Sequence, residues 1–268
     1  MKTRKSVFAF VFLVLAACGS SSSNPGTIHI RVAHLSPNAP AVDFCVAKQG
    51  EGFVGPILKG LSVTGGLAYS EVTKYLELDA GQYTARLVAP DAKDCSASLA
   101  SLPDYSLPNL SDGTYATVAA VGVIGATDAT AFTVKPFVDE STVPSGKVAL
   151  RFVHASPGTP AVDLGILSDS TFTGLFKDVA FPDFATNSGI DSNGYLMTSP
   201  ISSVTVSARP TGTSTDALVV EGVSVPADAI ASVFAIGVLG SETTPLKALV
   251  CVDTAAPVGA LSACSVVP

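Results

Sequence analysis

The chain has 268 residues, of which 47% are hydrophobic and only 14% charged, and its formal net charge is −7. This acidic balance argues against binding to nucleic acid and to anionic lipid headgroups, because both are themselves negatively charged. Tryptophan is absent and histidine occurs three times, so the residues that most often stack on sugars or serve as general bases are scarce.

The first 26 residues predict export and anchoring. A basic start precedes the apolar run 7–15, which is too short to span a bilayer and is typical of a signal peptide. The run ends in LAAC at 15–18, which resembles the lipobox of bacterial lipoproteins, whose cysteine becomes the first mature residue and carries acyl chains. We therefore predict a signal peptide at 1–17, lipid attachment at Cys18 and a flexible Ser-rich tether at 18–26.

These features predict a lipid-anchored protein of the cell envelope, located in the outer membrane if the host has two membranes. The membrane would then be a partner through the N-terminal lipid alone. Removal of residues 1–17 deletes three positive charges and no acid, which takes the formal net charge from −7 to −10.

One phrase of the mature chain occurs twice. RVAHLSPNAPAVDF occupies 31–44 and RFVHASPGTPAVDL occupies 151–164, with eight identities in the first thirteen positions. Further along, ATVAAVGVIG at 116–125 and ASVFAIGVLG at 231–240 share six identities in ten. Each copy then spans about 115–125 residues, which suits one immunoglobulin-like sandwich and is too long for the unit of a solenoid.

Within each copy, hydrophobic residues alternate with a period of two, which predicts β-strands. Glycine and proline fall mostly between the alternating runs, as turns require. The sequence therefore predicts an all-β protein made of two tandem immunoglobulin-like β-sandwich domains. We place domain 1 at 27–140 and domain 2 at 147–268, with the Pro-, Gly- and Ser-containing segment between them as a linker.

Copy one contains the pattern Leu-x-x-Gly-x-Tyr twice, at 78–83 and 110–115. In Greek-key sandwiches, a tyrosine at such a strand start donates a hydrogen bond back to the preceding turn, an arrangement called the tyrosine corner. Chance turn composition is the alternative.

Four cysteines remain after Cys18 is set aside, and an even number in an exported chain predicts disulfides. Three pairings are open. We favour the pairing that closes each bridge within one copy, because the copies then form separate units: Cys45 with Cys95, and Cys251 with Cys264. The absence of a C-x-x-C motif gives no support to a redox or zinc-ribbon function.

The duplicated phrase predicts a strand, a Ser-Pro turn and a second strand, because its prolines remove backbone donors and fix φ. Its polar residues are His34 and Asp43 in copy one, and His154 and Asp163 in copy two. One interpretation is a His–Asp couple with a nearby serine, present twice. We favour the other, in which these residues satisfy backbone groups of the turn and form a structural motif.

The pattern H-x-S-P-x-x-P-x-V-D after an Arg-initiated strand, with the later A-x-V-G strand, resembles the bacterial envelope family called domain of unknown function 4397. The resemblance covers both copies, at about 27–139 and 147–253. Copy two departs from it at Phe152 and at Leu164–Gly165, and its middle region 184–200 is irregular. The resemblance implies a β-sandwich on exported or lipid-anchored proteins. It implies no activity, so no functional residues are carried over.

Catalysis has little support in the sequence. The chain contains no H-E-x-x-H, G-x-S-x-G, P-loop or G-x-G-x-x-G motif. DSNG at 191–194 is similar to the start of a calcium loop, but the twelfth position is Ser202 where that loop needs Glu, so an Asx turn is favoured. We predict no catalytic residue, no metal site and no cofactor.

We therefore predict a non-catalytic scaffold, adhesive or binding module of the envelope, whose partner is an envelope protein or a glycan. The alternative is an envelope binding protein for a glycan or a small ligand. Sugar rings are usually held by exposed aromatic residues, and four aromatics fall in irregular segments where exposure is expected. These candidate ligand-facing residues are Tyr105, Phe181, Phe184 and Tyr195.

Overall fold

A computed structural model of the chain describes residues 26–253 and 261–267. The predicted signal peptide, the lipid-attachment residue Cys18 and the tether up to residue 25 lie outside these described residues. Residues 27–139 form seven strands and a short helix: β1 (Thr27–His34), β2 (Asp43–Lys48), α1 (Ile57–Gly60), β3 (Leu76–Asp79), β4 (Tyr83–Val88), β5 (Tyr105–Ser106), β6 (Tyr115–Val121) and β7 (Thr133–Asp139), with a 3₁₀ turn at Leu99–Ser101.

The second copy forms nine strands within the described residues. They are β8 (Val148–His154), β9 (Val162–Ser168), β10 (Thr171–Val179), β11 (Tyr195–Thr198), β12 (Ile201–Pro210), β13 (Leu218–Val225), β14 (Ile230–Ile236), β15 (Lys247–Val252) and β16 (Cys264–Val267).

Each copy is built from two sheets. In copy one the strand orders are β3-β1-β6-β7, here called the inner sheet, and β2-β4-β5, the outer sheet. In copy two they are β11-β8-β14-β15-β16, again the inner sheet, and β10-β9-β12-β13, the outer sheet. The opening strand of each copy pairs parallel with a later strand, β1 with β6 and β8 with β14. The prediction of an all-β, immunoglobulin-like sandwich fold is confirmed.

The two inner sheets pack against each other through the faces that point away from their own outer sheets. The shared apolar cluster combines Ala33, Leu35, Ala119, Val121 and Phe137 of copy one with Val153, Ala155, Phe234, Ile236 and Leu249 of copy two. All seven residues of β8 are consequently buried. Burial on both faces explains why the sequences of the inner strands are nearly continuous apolar runs. The four sheets therefore stack as four layers.

Two disulfides close within their own copies, as predicted. Cys45 is bonded to Cys95, and Cys251 is bonded to Cys264, which joins β16 to β15. Just before β16 the chain contacts copy one, because the Ser262 N–H donates to the Val72 carbonyl at 2.8 Å. The C-terminal segment of copy two is thus attached to copy one as well.

The two Leu-x-x-Gly-x-Tyr patterns have different outcomes. Tyr83 Oη donates to the Asp79 carbonyl at 2.9 Å, which is a tyrosine corner across the turn before β4. Tyr115 instead stacks its ring on His29, with centroids 4.1 Å apart. Only the first pattern therefore makes the predicted turn contact.

Candidate functional site

The histidines of the duplicated phrase close the Ser-Pro turns. His34 Nε2 lies 2.8 Å from the Pro40 carbonyl oxygen, and His154 Nε2 lies 3.0 Å from that of Pro160. A carbonyl only accepts, so Nε2 carries the proton in both rings and Nδ1 is left as an acceptor. Burial lowers the pKa of both histidines, so both are neutral at physiological pH.

The aspartates of the phrase bond elsewhere than to the histidines. Asp43 accepts hydrogen bonds from the backbone N–H groups of Phe44 and of Leu58 and Lys59 in α1, at 2.7–2.8 Å. Asp163 accepts from the backbone N–H of Asp178 at 2.7 Å. The His–Asp couple considered from the sequence is therefore not formed, and Asp43 instead fixes the helix to the edge of the outer sheet.

The four candidate ligand-facing aromatics do not form an exposed platform. Tyr195 is fully buried, because β11 joins the inner sheet and brings the ring within 4.6 Å of the Arg151 guanidinium. Phe181 and Phe184 pack against the cluster between the inner sheets, and Tyr105 packs beside the core of copy one. The expectation that these rings are exposed is wrong for Tyr195, and the other three are half-buried against apolar neighbours.

Four charged side chains meet between the two inner sheets. Arg31 Nη1 donates to Asp253 Oδ1 at 2.5 Å, which pairs an arginine of copy one with a carboxylate of copy two. Arg151 donates through Nη2 to Asp139 Oδ1, which makes the reverse pair. All four side chains are buried, and Asp253 is the most exposed at 4%. The copies therefore exchange arginine–aspartate pairs, and the four formal charges cancel.

The two aspartates of this network differ electrostatically. Asp139 accepts from Thr117 Oγ1 at 2.6 Å and Tyr75 Oη at 2.7 Å, and it lies 3.6 Å from Arg31 Nε. Burial alone would raise the pKa of Asp139, but the two guanidinium groups outweigh it and hold the pKa below its ordinary value. Burial raises the pKa of Asp253, and the negative charge of Asp139 raises it further. The positive charge of Arg31 lowers this pKa, but not enough to cancel the two other effects. The network links the two copies through buried ion pairs.

A cavity of about 490 Å³ lies between the two sheets of copy one. Its wall is mostly aliphatic and is contributed by both sheets, α1 and the segment after β5, for example Ile28, Ile30, Val32, Val46, Leu87 and Val134. Exposed residues also line it, so the cavity reaches the surface beside Leu61, Glu77 and Pro108. This volume is within the range of small-molecule sites, and such a wall favours an apolar occupant.

The polar groups of the wall are few, and two of them lie near one end of β1. His34 ends the strand, and Lys74 lies beside Val32, because the Thr73 N–H donates to the Val32 carbonyl at 2.9 Å. His34 Nδ1 is buried without a hydrogen-bond partner among the described residues. Lys74 is half-buried.

The corresponding space in copy two is largely filled. Its cavity measures about 120 Å³. Phe152 takes the position of Val32, and its ring lies 6.0 Å from that of Phe176, which β10 contributes. Both rings belong to the core of copy two.

Sequence reasoning missed the cavity and the charge network. Arg31 and Arg151 begin the duplicated phrase, while Asp139 and Asp253 end the matching triplets FVD and CVD. Charges repeated at equivalent strand positions were the available signal for the network. Lys74 and Val32 belong to no sequence motif that would have indicated the cavity. A cavity depends on the summed volume of the side chains that face each other across the two sheets, which no local pattern shows.

Within residues 26–253 and 261–267, no three His, Cys, Asp or Glu side chains are grouped so as to hold a metal ion. Asp191 Oδ1 accepts from the backbone N–H groups of Asn193 and Tyr195, both at 2.9 Å, which is the Asx-turn geometry. In the part of the chain that the structure describes, no helix has the length and apolar character needed to cross a membrane.

A search of curated proteins finds no match to this chain. Among solved structures, it is similar to the Bacillus anthracis TIE protein, at 8% identity and a TM-score of 0.21, over 79% of this chain and 34% of that one. It is similar to a structure reported as alpha-glucan binding by a streptococcal virulence factor, at 12% identity and a TM-score of 0.22, over 67% and 79%.

A provisionally named cell adhesion protein of Bacteroides fragilis matches at 11% identity and a TM-score of 0.19, over 82% of this chain and 96% of that one. The chain spans about a third of the length of the Bacillus protein. TM-scores this low support no inference about what this chain binds. A family profile, by contrast, matches residues 28–165, which is more than half of the chain. The chain belongs to the family described as Domain of unknown function (DUF4397).

Proposed function

We propose that this protein is a non-catalytic binding protein of the cell envelope, which holds a small apolar molecule between the two sheets of copy one. The observation that carries the proposal is the aliphatic cavity of about 490 Å³ that reaches the surface beside Leu61. Protein interiors are normally close-packed, and apolar cavities stay dry and accept apolar molecules. The same space in copy two is filled by aromatic rings, so the fold itself does not require a cavity.

The envelope location rests on the signal peptide at 1–17 and the lipobox at 15–18. Acylation at Cys18 would hold the folded part close to a membrane surface, where apolar molecules are abundant. Cys18→Ser should leave the chain unprocessed or mis-sorted. Mature detergent-phase protein from that variant, identified by mass spectrometry, would show that the lipobox assignment is wrong.

Val32→Phe tests the cavity, because it places in copy one the ring that copy two already accommodates at Phe152. We expect the wild-type protein to bind N-phenyl-1-naphthylamine, an uncharged apolar dye whose emission rises in apolar surroundings. The variant should lose at least tenfold in affinity while circular dichroism and the melting temperature show a folded protein. Val54→Phe is the matched control, since Val54 is 64% exposed and lies outside the cavity wall.

Two results would overturn the proposal. One is a folded Val32→Phe variant that binds the dye as well as the wild-type protein does. The other is a wild-type protein that does not bind the dye at all.

A second candidate function, glycan binding, is favoured by a polar groove of about 390 Å³ on copy one. Its wall combines Gln49, Glu51, Gln82 and Asp104 with two aromatic side chains, the buried Tyr83 and, nearer the surface, Phe53. The guanidinium of Arg86 lies 4.1 Å from the centroid of the Phe53 ring and, through its pair with Asp104, holds it in place. Phe53→Ala should abolish any signal on a glycan array, and a retained signal would exclude this groove.

A further inference from the structure

The wall of the copy-one cavity is unequal in charge along its length. The end near Ile28 and Leu110 is lined by aliphatic residues, the tyrosine-corner ring of Tyr83 and Glu77, which pairs in register with His29. The end beside Val32 carries Lys74, the only cationic side chain of the wall. A molecule that fills the cavity therefore meets apolar groups along its body and an ammonium at one end.

Lys74 has no ion-pair partner among the described residues, although six of the other basic side chains in that part of the chain do. The only carboxylate in the wall is Glu77, three residues further on and exposed in β3. Neighbouring Arg31 and Asp139 are already paired within the interface network. A half-buried ammonium at the edge of an apolar cavity interacts most favourably with an anion, because partial desolvation strengthens the attraction.

His34 adds no charge at this end, since its ring is neutral and its Nε2–H is committed to the Pro40 carbonyl. The charge of the site is therefore set by Lys74, with Glu77 at the mouth. On the basis of the proposed function, we propose that the ligand is a single-chain amphiphile with an anionic head, a long-chain carboxylate, whose carboxylate pairs with Lys74 while its chain lies among the aliphatic residues.

The test compares two amphiphiles of equal chain length, dodecanoate and dodecanol, as competitors that displace N-phenyl-1-naphthylamine from the full-length mature protein. We expect dodecanoate to displace the dye at about tenfold lower concentration than dodecanol, although the net negative charge of the protein disfavours an anion. In Lys74→Gln the ratio of the two affinities should fall to about one. Lys74→Arg should restore the preference, because the positive charge returns.

Lys147→Gln is the matched control for net charge, since Lys147 is exposed in the segment between the copies, and it should keep the preference. Equal affinities for dodecanoate and dodecanol in the wild-type protein would overturn this inference while the dye still binds. So would a preference that survives in Lys74→Gln. Absence of dye binding would instead overturn the proposed function on which the inference rests.

Discussion

Copies one and two share a fold and a duplicated phrase, but their interiors differ. Copy one retains a cavity of about 490 Å³, whereas the matching space in copy two measures about 120 Å³. The aligned strands β1 and β8 differ at the position that decides this, with Val32 in one and Phe152 in the other. One copy of a duplicated sandwich can therefore provide a stable packed core, which leaves the other free to keep an open one.

The segment after the second strand strengthens this difference. In copy two it continues as β10, which pairs with β9 and sends Phe176 into the core. In copy one it forms α1, held by the Asp43 carboxylate, and the outer sheet has one strand fewer. The helix thereby contributes Ile57 to the cavity wall where copy two places an aromatic ring.

The largest effect is expected where the copies meet. Asp139→Asn leaves two buried guanidinium groups without their shared carboxylate, and removal of one member of such a network typically costs about 3–5 kcal/mol. Because Asp139 contacts both arginines, both copies should lose stability together in urea unfolding. Asp253→Asn should cost less, since burial and the Asp139 carboxylate already raise the pKa of Asp253 and bring it nearer to its neutral form.

The control for this comparison is Asp183→Asn. Asp183 pairs with Lys135 across the same interface at 3.1 Å, but on the surface, where such pairs contribute about 0–1 kcal/mol. Equal losses of stability for Asp139→Asn and Asp183→Asn would contradict the prediction that the buried network contributes most to the stability of this interface.

Phe152→Val would make the two interiors alike. It removes a fully buried ring from copy two, and the lost burial together with the new cavity should cost about 2–4 kcal/mol. If the difference between the copies arises at this position, the variant should also gain a second binding site for N-phenyl-1-naphthylamine, measurable as a change in stoichiometry. A loss of stability below about 0.5 kcal/mol would mean that copy two repacks around the missing ring.

The duplicated histidines should behave alike in the two copies, although their surroundings differ slightly. His34→Ala and His154→Ala each remove a buried imidazole and the part-buried hydrogen bond that it donates to a proline carbonyl, which should cost about 1–3 kcal/mol. His154 also accepts from the Ser156 N–H at 3.2 Å through Nδ1, whereas His34 Nδ1 has no partner among the described residues, so His154→Ala should cost slightly more. Calorimetric melting of the two variants tests this order, and a larger loss for His34→Ala would reverse it.

Much of this architecture could be predicted from residues that repeat. Alternation in 28–34 and 148–154 located the opening strands, and the preference for bridges that close within one copy gave the disulfide pairing. The alternation of hydrophobic residues also gave one wrong expectation, because it implies that only one face of β1 is buried. Arg31 and Ala33 on the other face are fully buried against copy two. The nearly continuous apolar runs near Val118 in β6 and Val233 in β14 were the better indication that both faces of the inner sheets are buried.

The cavity could not be predicted from the sequence, for a different reason. The difference between Val32 and Phe152 is visible in the aligned phrase, but its effect depends on which residues face it. That partner segment is a helix in one copy and a strand in the other, and no local pattern relates the two. Likewise, Tyr195 follows a turn in an irregular segment, and only the pairing of β11 with β8 reveals that its ring is buried.

The smallest expected effect is a dependence of stability on pH that both copies share. Burial lowers the pKa of His34 and His154 below the value of about 6.5 that an unfolded chain has. The unfolded state then binds protons that the folded state rejects, so stability is fully present above about pH 6.5 and is lost as the pH falls through the range between the unfolded and folded pKa values. Each histidine can contribute at most about 1.4 kcal/mol per pH unit.

Urea unfolding at pH 7 and pH 5 measures this loss, and His34→Gln with His154→Gln provides the matched comparison. A glutamine amide can still donate to the proline carbonyl but does not titrate in this range. The double variant should therefore retain most of its stability at pH 7 and lose less of it at pH 5 than the wild-type protein does. The lowered pKa of Asp139 adds a separate loss only below about pH 4, because its unfolded value is about 3.9. An unchanged pH dependence in the double variant would show that these two buried imidazoles do not cause it.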